Sequence, residues 1–259
     1  MMNKKLLLFD IDGTLAMLGD VKEATRMALK QAQANGHLVF ICSGRTPGYQ
    51  EHLFGDCADG FICNNGRYAR YHNRVLFDLP IRKSELFTYI DYFETHHYAY
   101  LLNDLDKVYV GGFKPEQAEA IVQYHGKDEQ IIFNYNRYQI NVYNMDAFYH
   151  SEKELKQLVN DLKGRLIINA HGDNYSSDLS TCSFTKGDAV LKVCEALNID
   201  YENTYAFGDG FNDLQMMKSV AHPIAMGNAV TLIKEHSEYI SDECEALGVV
   251  KALKHYKLI

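Results

Sequence analysis

Short apolar runs that stop abruptly at charged, glycine-containing turns alternate with amphipathic stretches in the first and last parts of the chain. Lys5–Phe9 is such a run, and its unbroken apolarity over so short a length suits a strand buried on both faces. A helix is predicted next. Asp20 with Glu23 forms a capping-box pattern, Ala24, Met27, Ala28 and Gln31 recur at helical spacing, and Gly36 is placed to end the helix. His37–Cys42 reads as a second apolar strand, and Ser43, Gly44 and Arg45 turn into another short helix. The C-terminal part repeats this order: Lys186–Leu197 as a helix, Thr204–Phe207 as a strand, Asn212–Val220 as a helix and His222–Met226 as a strand. Strand, helix, strand in close succession predicts an α/β fold, a parallel sheet with right-handed crossovers whose ligands bind beyond the carboxyl ends of the strands. Those ends are Asp10, Ser43 and Asp209.

Between about Arg82 and Cys182 the texture changes. Tyr98–Leu102, Lys107–Val110, Ile131–Tyr135, Ile140–Tyr143 and Leu166–Asn169 read as strands, and Pro115–Tyr124 and Ser151–Leu162 as helices. The second helix carries a Ser151/Glu154 capping box and a stripe of Leu155, Leu158, Val159 and Leu162. This reads as an α+β insertion over residues 83–182, flanked by a first domain built from 1–82 and 183–259. It holds 11 of the chain's 18 tyrosines, a density that favours a separate folding unit over one long loop. For any one of those tyrosines, packing on a sheet face outweighs ligand stacking.

Composition narrows the function classes. At 259 residues, 47% hydrophobic and 23% charged, the chain can bury a full core in one or two domains. A formal net charge of -8 repels phosphate backbones and anionic lipid at long range, so neither nucleic acid nor a membrane is an expected partner. Lys4 and Lys5 are followed only by Leu6–Phe9 before Asp10 interrupts, which is too short for the apolar core of a signal peptide; a cytoplasmic protein is expected. The six cysteines, Cys42, Cys57, Cys63, Cys182, Cys194 and Cys244, show no CxxC pairing and read as reduced thiols rather than a disulfide framework or zinc site.

Chemistry concentrates where the apolar runs stop. In Phe9-Asp10-Ile11-Asp12-Gly13-Thr14-Leu15 two carboxylates sit two apart at a strand end. Two anions about 4 Å apart repel by about 4 kcal/mol at an effective dielectric near 20, and a divalent cation such as magnesium relieves that repulsion. Ser43-Gly44-Arg45 offers a hydroxyl and backbone N–H groups at a strand-to-helix turn, an anion nest. Thr185-Lys186-Gly187-Asp188 pairs a capping Thr185 and Asp188 around a lysine in the first helical turn, where it opposes the helix dipole and an anionic ligand would compensate. Gly208-Asp209-Gly210-Phe211-Asn212-Asp213 places two more acids and an amide after a strand; a calcium loop is disfavoured because the remaining ligands of an EF-hand are missing.

Taken together and in this order, DIDGT at 10–14, SGR at 43–45, KG at 186–187 and GDGxND at 208–213 resemble the four motifs of the haloacid dehalogenase superfamily. The insertion falls between the second and third motifs, as in the Cof-type phosphatases of subfamily IIB. Asn65-Gly66 before a short hairpin, Ala225-Met226-Gly227-Asn228-Ala229 and Gly248-Val249-Val250 agree, whereas Ser180–Ser183 lacks the proline and glycine common ahead of the motif lysine. The resemblance implies a Rossmann-like parallel-sheet core with an α+β cap acting as a lid, and a magnesium-dependent phosphatase of small phosphorylated metabolites. On it, Asp10 is the nucleophile and Asp12 the acid and base. Magnesium is held by Asp10, the Asp12 main-chain carbonyl and Asp209, with Asp213 in support. Ser43, Gly44, Lys186, Asn212 and Arg45 face the phosphoryl group or its neighbourhood, and Thr14 orients the loop. A phosphomutase shares these motifs, and a regulatory phosphate-binding protein without turnover is the rival of another class. The adjacent His96 and His97 read as a solvated helix end rather than a metal pair, since consecutive helical positions point apart.

Overall fold

Leu6, Leu7, Leu8 and Phe9 are all 0% exposed, so the first apolar run is covered on both faces, as a central parallel strand must be. The computed structural model describes residues 4–124, 130–172 and 175–259. From the N-terminus it shows β1 (Leu6–Phe9), α1 (Glu23–Ala34), β2 (Leu38–Cys42), α2 (Pro47–Phe54), β3 (Gly60–Cys63), β4 (Tyr68–Tyr71) and β5 (Arg74–Asp78). Then come α3 (Lys83–Thr95), β6 (Ala99–Asn103), β7 (Lys107–Gly111), α4 (Pro115–Tyr124), β8 (Gln130–Ile132), β9 (Asn144–Phe148), α5 (Glu152–Asp161), β10 (Leu166–Ala170) and β11 (Ser176–Thr181). The chain closes with α6 (Lys186–Leu197), β12 (Thr204–Gly208), α7 (Leu214–Lys218), β13 (His222–Ala225), α8 (Thr231–Glu235), β14 (Tyr239–Ile240) and α9 (Gly248–His255).

These elements form two units. The first takes the chain up to Arg45, Gln50–Asp78 and Phe184–Ile259, and the second takes Thr46–Tyr49 and Leu79–Ser183. The first holds a sheet in the order β14-β13-β12-β1-β2-β3-β4-β5. Its strands from β14 to β3 are parallel, and β4 and β5 add an antiparallel hairpin at one edge. β1 and β12 are neighbours in register from Leu6↔Thr204 to Phe9↔Phe207, and the Phe9 and Phe207 rings stack at 4.5 Å between centroids. This pairing brings residues nearly two hundred positions apart to the same sheet end. No helix of the described residues is long and apolar enough to cross a membrane.

The second unit is a sheet in the order β10-β11-β9-β6-β7-β8, antiparallel except for β7 with β8. Tyr89, Tyr98, Tyr100, Tyr109 and Tyr149 are all under 8% exposed in one apolar cluster with Leu86, Phe93 and Leu158, so much of the tyrosine density is core packing.

Several local expectations fail for identifiable reasons. Asp20 and Glu23 form no capping box: Asp20 closes a tight turn with Met17, and Lys22 is the N-cap without a side-chain cap bond. Ile140–Tyr143 is not a strand; Ile140 and Val142 are buried, but Val142 O accepts from Ile81 N and Tyr143 N donates to Asn103 O as isolated bonds, and the ladder starts at Asn144. The strand expected at Ile131–Tyr135 ends at Ile132. Asn212–Val220 splits into a 3-10 turn, Phe211–Asp213, and the short α7. β11, with the sequence SSDLST, carries a single apolar residue and so has no strand pattern in the sequence.

Asp146 on β9 and Asp178 on β11 face each other in register, and Asn103 Nδ2 donates to Asp146 Oδ2 at 2.7 Å. Burial, then the Asp178 carboxylate, pushes the Asp146 carboxyl up to about 8. The folded form therefore holds this proton more tightly than the unfolded chain, whose aspartates titrate near 3.9, and the contribution to stability fades as pH rises from about 4 to about 8. Asp146→Asn should flatten the dependence of the melting temperature on pH across that window, measured by thermal unfolding at several pH values; an unchanged slope would contradict the raised titration of Asp146.

Candidate active site

β1 ends at Phe9, and Asp10 follows with its N–H donating to Phe207 O at 3.0 Å, so the first motif acid is tied to β12 before any side chain acts. The chain then turns sharply: Ile11 O accepts from the N–H groups of Thr14, Leu15 and Ala16. Gly13 sits at φ +89, and a Cβ there would lie 2.2 Å from Asp209 Oδ2, so only glycine lets the two loops approach. Thr14 Oγ1 donates to Asp209 Oδ1 at 2.9 Å.

Asp213 organises the loop after β12. Its Oδ2 accepts from the N–H groups of Asp209 and Gly210, both at 3.0 Å, and its Oδ1 accepts from Lys186 Nζ at 2.7 Å. Lys186 enters from the start of α6, which Thr185 and Asp188 close with the reciprocal capping box expected from the sequence. Lys186 Nζ also donates to Asp10 Oδ1 at 2.7 Å, so one ammonium bridges two acids from separate strands, with Lys186 only 2% and Asp213 0% exposed.

These charges alter one another. Burial, then the Asp213 carboxylate, drives the Asp10 carboxyl well above the usual range, while Lys186 pulls it back. Burial followed by Asp213 pushes Asp209 up to about 7, partly offset by the Thr14 hydrogen bond. Burial opposes the Lys186 ammonium, yet Asp10 and Asp213 together hold it above the ordinary lysine value. Added positive charge is what this excess of carboxylate calls for. Asp10, Asp209 and Asp213 can each present an oxygen within 4.8 Å of the other two, an oxygen-only donor set that suits a hard divalent cation.

The remaining motif residues surround this centre. Ser43 is buried at the end of β2, where its Oγ accepts from Arg45 N at 3.3 Å, and Gly44 lies under the Asn65 carboxamide. Arg45 forms a two-pronged contact with Asp12, Nε to Oδ2 at 2.9 Å and a terminal nitrogen to Oδ1 at 3.1 Å. The Asp12 side chain is thus engaged by Arg45 and does not belong to the Asp10–Asp209–Asp213 cluster. Asn212 is half-buried in the 3-10 turn that leads to Asp213.

Sequence reasoning did not assign four supporting residues. Gln50 on α2 is 0% exposed and donates to both Arg45 O and Ile62 O, fixing the second motif turn. Asn64 and Asn65, at φ 51 and 54, send their N–H groups to Arg45 O and Ser43 O. Asn228 Nδ2 donates to Gly13 O at 2.9 Å and to Asp209 Oδ2 at 3.4 Å. The available signal was a polar residue just beyond a strand end, as at Asn64 after β3 and Asn228 after β13.

The sequence profile of a family described as haloacid dehalogenase-like hydrolase matches residues 7–253. The chain is 29% identical to YkrA of Bacillus subtilis (strain 168) across 100% of both chains. It is 29% identical to 5-amino-6-(5-phospho-D-ribitylamino)uracil phosphatase YcsE of the same organism, over 98% of this chain and 96% of that one. Among solved structures it resembles the HAD subclass IIB sugar phosphatase BT4131, with a TM-score of 0.83, 25% identity, and coverage of 99% of this chain and 100% of that one.

Lys186→Met should lower unfolding stability by about 3–5 kcal/mol, the usual cost of stranding buried charges that have lost their partner. Denaturant unfolding in EDTA measures it, and a loss under about 1 kcal/mol would show that Asp10 and Asp213 do not depend on the ammonium.

Proposed function

The chain belongs to the haloacid dehalogenase-like hydrolases, and from that membership we propose that it is a phosphatase that hydrolyses the phosphate monoester of a small metabolite through a phosphorylated Asp10. The observation that carries this reading is the meeting of Asp10, Lys186, Asp209 and Asp213 at one sheet end. Names of the relatives favour the substrate class: one is a sugar phosphatase, another acts on a phosphorylated ribitylamino compound. Six unpaired cysteines suit a reducing compartment, and we place the activity in the cytoplasm.

A carboxylate oxygen of Asp10 attacks phosphorus as the bond from phosphorus to the leaving oxygen breaks. Lys186, already on the other Asp10 oxygen, fixes the carboxylate and offers its remaining N–H to the transferred group. Ser43 and the turn N–H groups hold phosphoryl oxygens, and Asn212 lies beside them. The incoming dianion competes for Arg45, which releases Asp12 from its fork. Once freed, Asp12 takes a proton from solvent and gives it to the departing oxygen, then takes a proton from the water that attacks the phosphoryl-aspartate, so phosphate leaves, Asp10 is regenerated and Asp12 returns its proton to solvent. Magnesium, bound by Asp10, Asp209 and the Asp12 main-chain carbonyl with Asp213 in support, would reduce the repulsion between nucleophile and phosphate and favour in-line attack.

Asp10→Asn should abolish release of inorganic phosphate while leaving the circular dichroism spectrum and melting temperature in EDTA close to wild type. A residual rate above about a tenth of wild type would contradict the nucleophile, since such groups carry several kcal/mol of barrier. Screening the protein with magnesium against phosphorylated sugars, polyols and nucleotides should yield stoichiometric inorganic phosphate. Transfer of the group to another hydroxyl of the sugar, with no phosphate released, would point to a mutase instead.

A further inference from the structure

Asn228 stands outside the four motifs, yet its carboxamide joins three distant stretches of chain. Nδ2 donates to the Gly13 carbonyl at 2.9 Å and to Asp209 Oδ2 at 3.4 Å, and Oδ1 accepts from the Cys244 N–H at 2.9 Å. The Cys244 bond settles which end is which: an N–H donor there requires the amide oxygen, so the NH₂ group must face Gly13 and Asp209. The backbone that carries Asn228 is itself tightly fixed. Met226 N donates to Gly208 O, Gly227 N to Asp242 O, and Val230 N to Asp209 O. A Cβ on Gly227 would lie 2.7 Å from Glu243 N, so the turn leaves no room to drift.

Asp209 is therefore held from three sides: its carbonyl by Val230 N–H, Oδ1 by Thr14 Oγ1 and Oδ2 by Asn228 Nδ2. An amide is suited to this task. It donates to a carboxylate without the charge of a lysine or arginine, which would compete with a cation for the same oxygen, and it leaves further lone pairs on the carboxylate available. We infer that Asn228 is a positioning residue for divalent-cation binding, setting the rotation of the Asp209 carboxylate and its spacing from the Gly13 loop. This rests on the cation-dependent phosphatase reading above and adds a determinant of cation affinity that lies beyond the ligands themselves.

Asn228 is exposed, so Asn228→Ala removes the carboxamide without opening the core. Manganese binding to the whole protein, followed by electron paramagnetic resonance, reads affinity without turnover; Asp209→Asn serves as the reference for a lost ligand. The dissociation constant of Asn228→Ala should rise about tenfold, as loss of a partner to a metal ligand commonly causes. The half-saturating magnesium concentration for phosphate release should rise in parallel, with kcat at saturating magnesium within about threefold of wild type. Manganese affinity within twofold of wild type would overturn the inference. That holds also if the melting temperature in EDTA falls, which would mark Asn228 as a staple for the Cys244 segment. If wild type and Asp209→Asn both fail to bind manganese, the cation reading of the whole site falls along with it, which separates the two failures.

Discussion

A single buried ammonium holds the centre together. Lys186 Nζ lies 2.7 Å from an oxygen of Asp10 and 2.7 Å from an oxygen of Asp213, and all three residues are at most 5% exposed. Three acids gathered from two neighbouring strands would otherwise repel one another in a medium that screens charge poorly. The lysine makes the gathering tolerable without neutralising it, and burial, together with the carboxylate charge left over, displaces Asp10 and Asp209 toward protonation. The same imbalance suits the three acids to a hard divalent cation, whose charge would relieve it.

The scaffold serves this pair of contacts. Parallel pairing of β1 with β12 aligns the ends of two strands, and the capping box on α6 aims a lysine back along its own first turn into the space between them. Glycines are used where backbone must touch side chain: Gly13 against the Asp209 carboxylate, and Gly208 against Asp213, where a Cβ would lie 2.8 Å from the Asp213 Cβ. Asp213 spends one oxygen on the loop's own N–H groups and the other on Lys186, so it joins the folding of the loop to the balance of charge in the site.

Much of this was readable from the chain. The apolar runs of β1, β2 and β12 are unbroken because both sheet faces are covered, and Thr185 with Asp188 announced the start of α6 to the residue. Polarity hid other elements. β11 has one leucine among serines, threonine and aspartate, and Ile140–Tyr143 has the alternation of a strand but lies outside the ladder. Asp20 and Glu23 had capping residues at the correct spacing, but the turn with Met17 claimed Asp20 first. The four acidic and basic motifs located the centre; they did not reveal that Arg45 grips Asp12, or that Gln50, Asn65 and Asn228 brace the loops, because such partners are set by tertiary pairing rather than by spacing along the chain.

The pairing of β1 with β12 also orders events in time. Leu6 meets Thr204, and both Asp209 and Asp213 come later still in the chain, so a nascent polypeptide emerging from the ribosome presents Asp10 well before the partners that surround it have been made. Contacts of such long sequence separation form slowly and late, after much of the intervening chain has been made. Until then β1 has one unpaired edge and Asp10 no Lys186 beside it, which leaves the growing chain chemically silent and makes its apolar first strand a natural client for a chaperone.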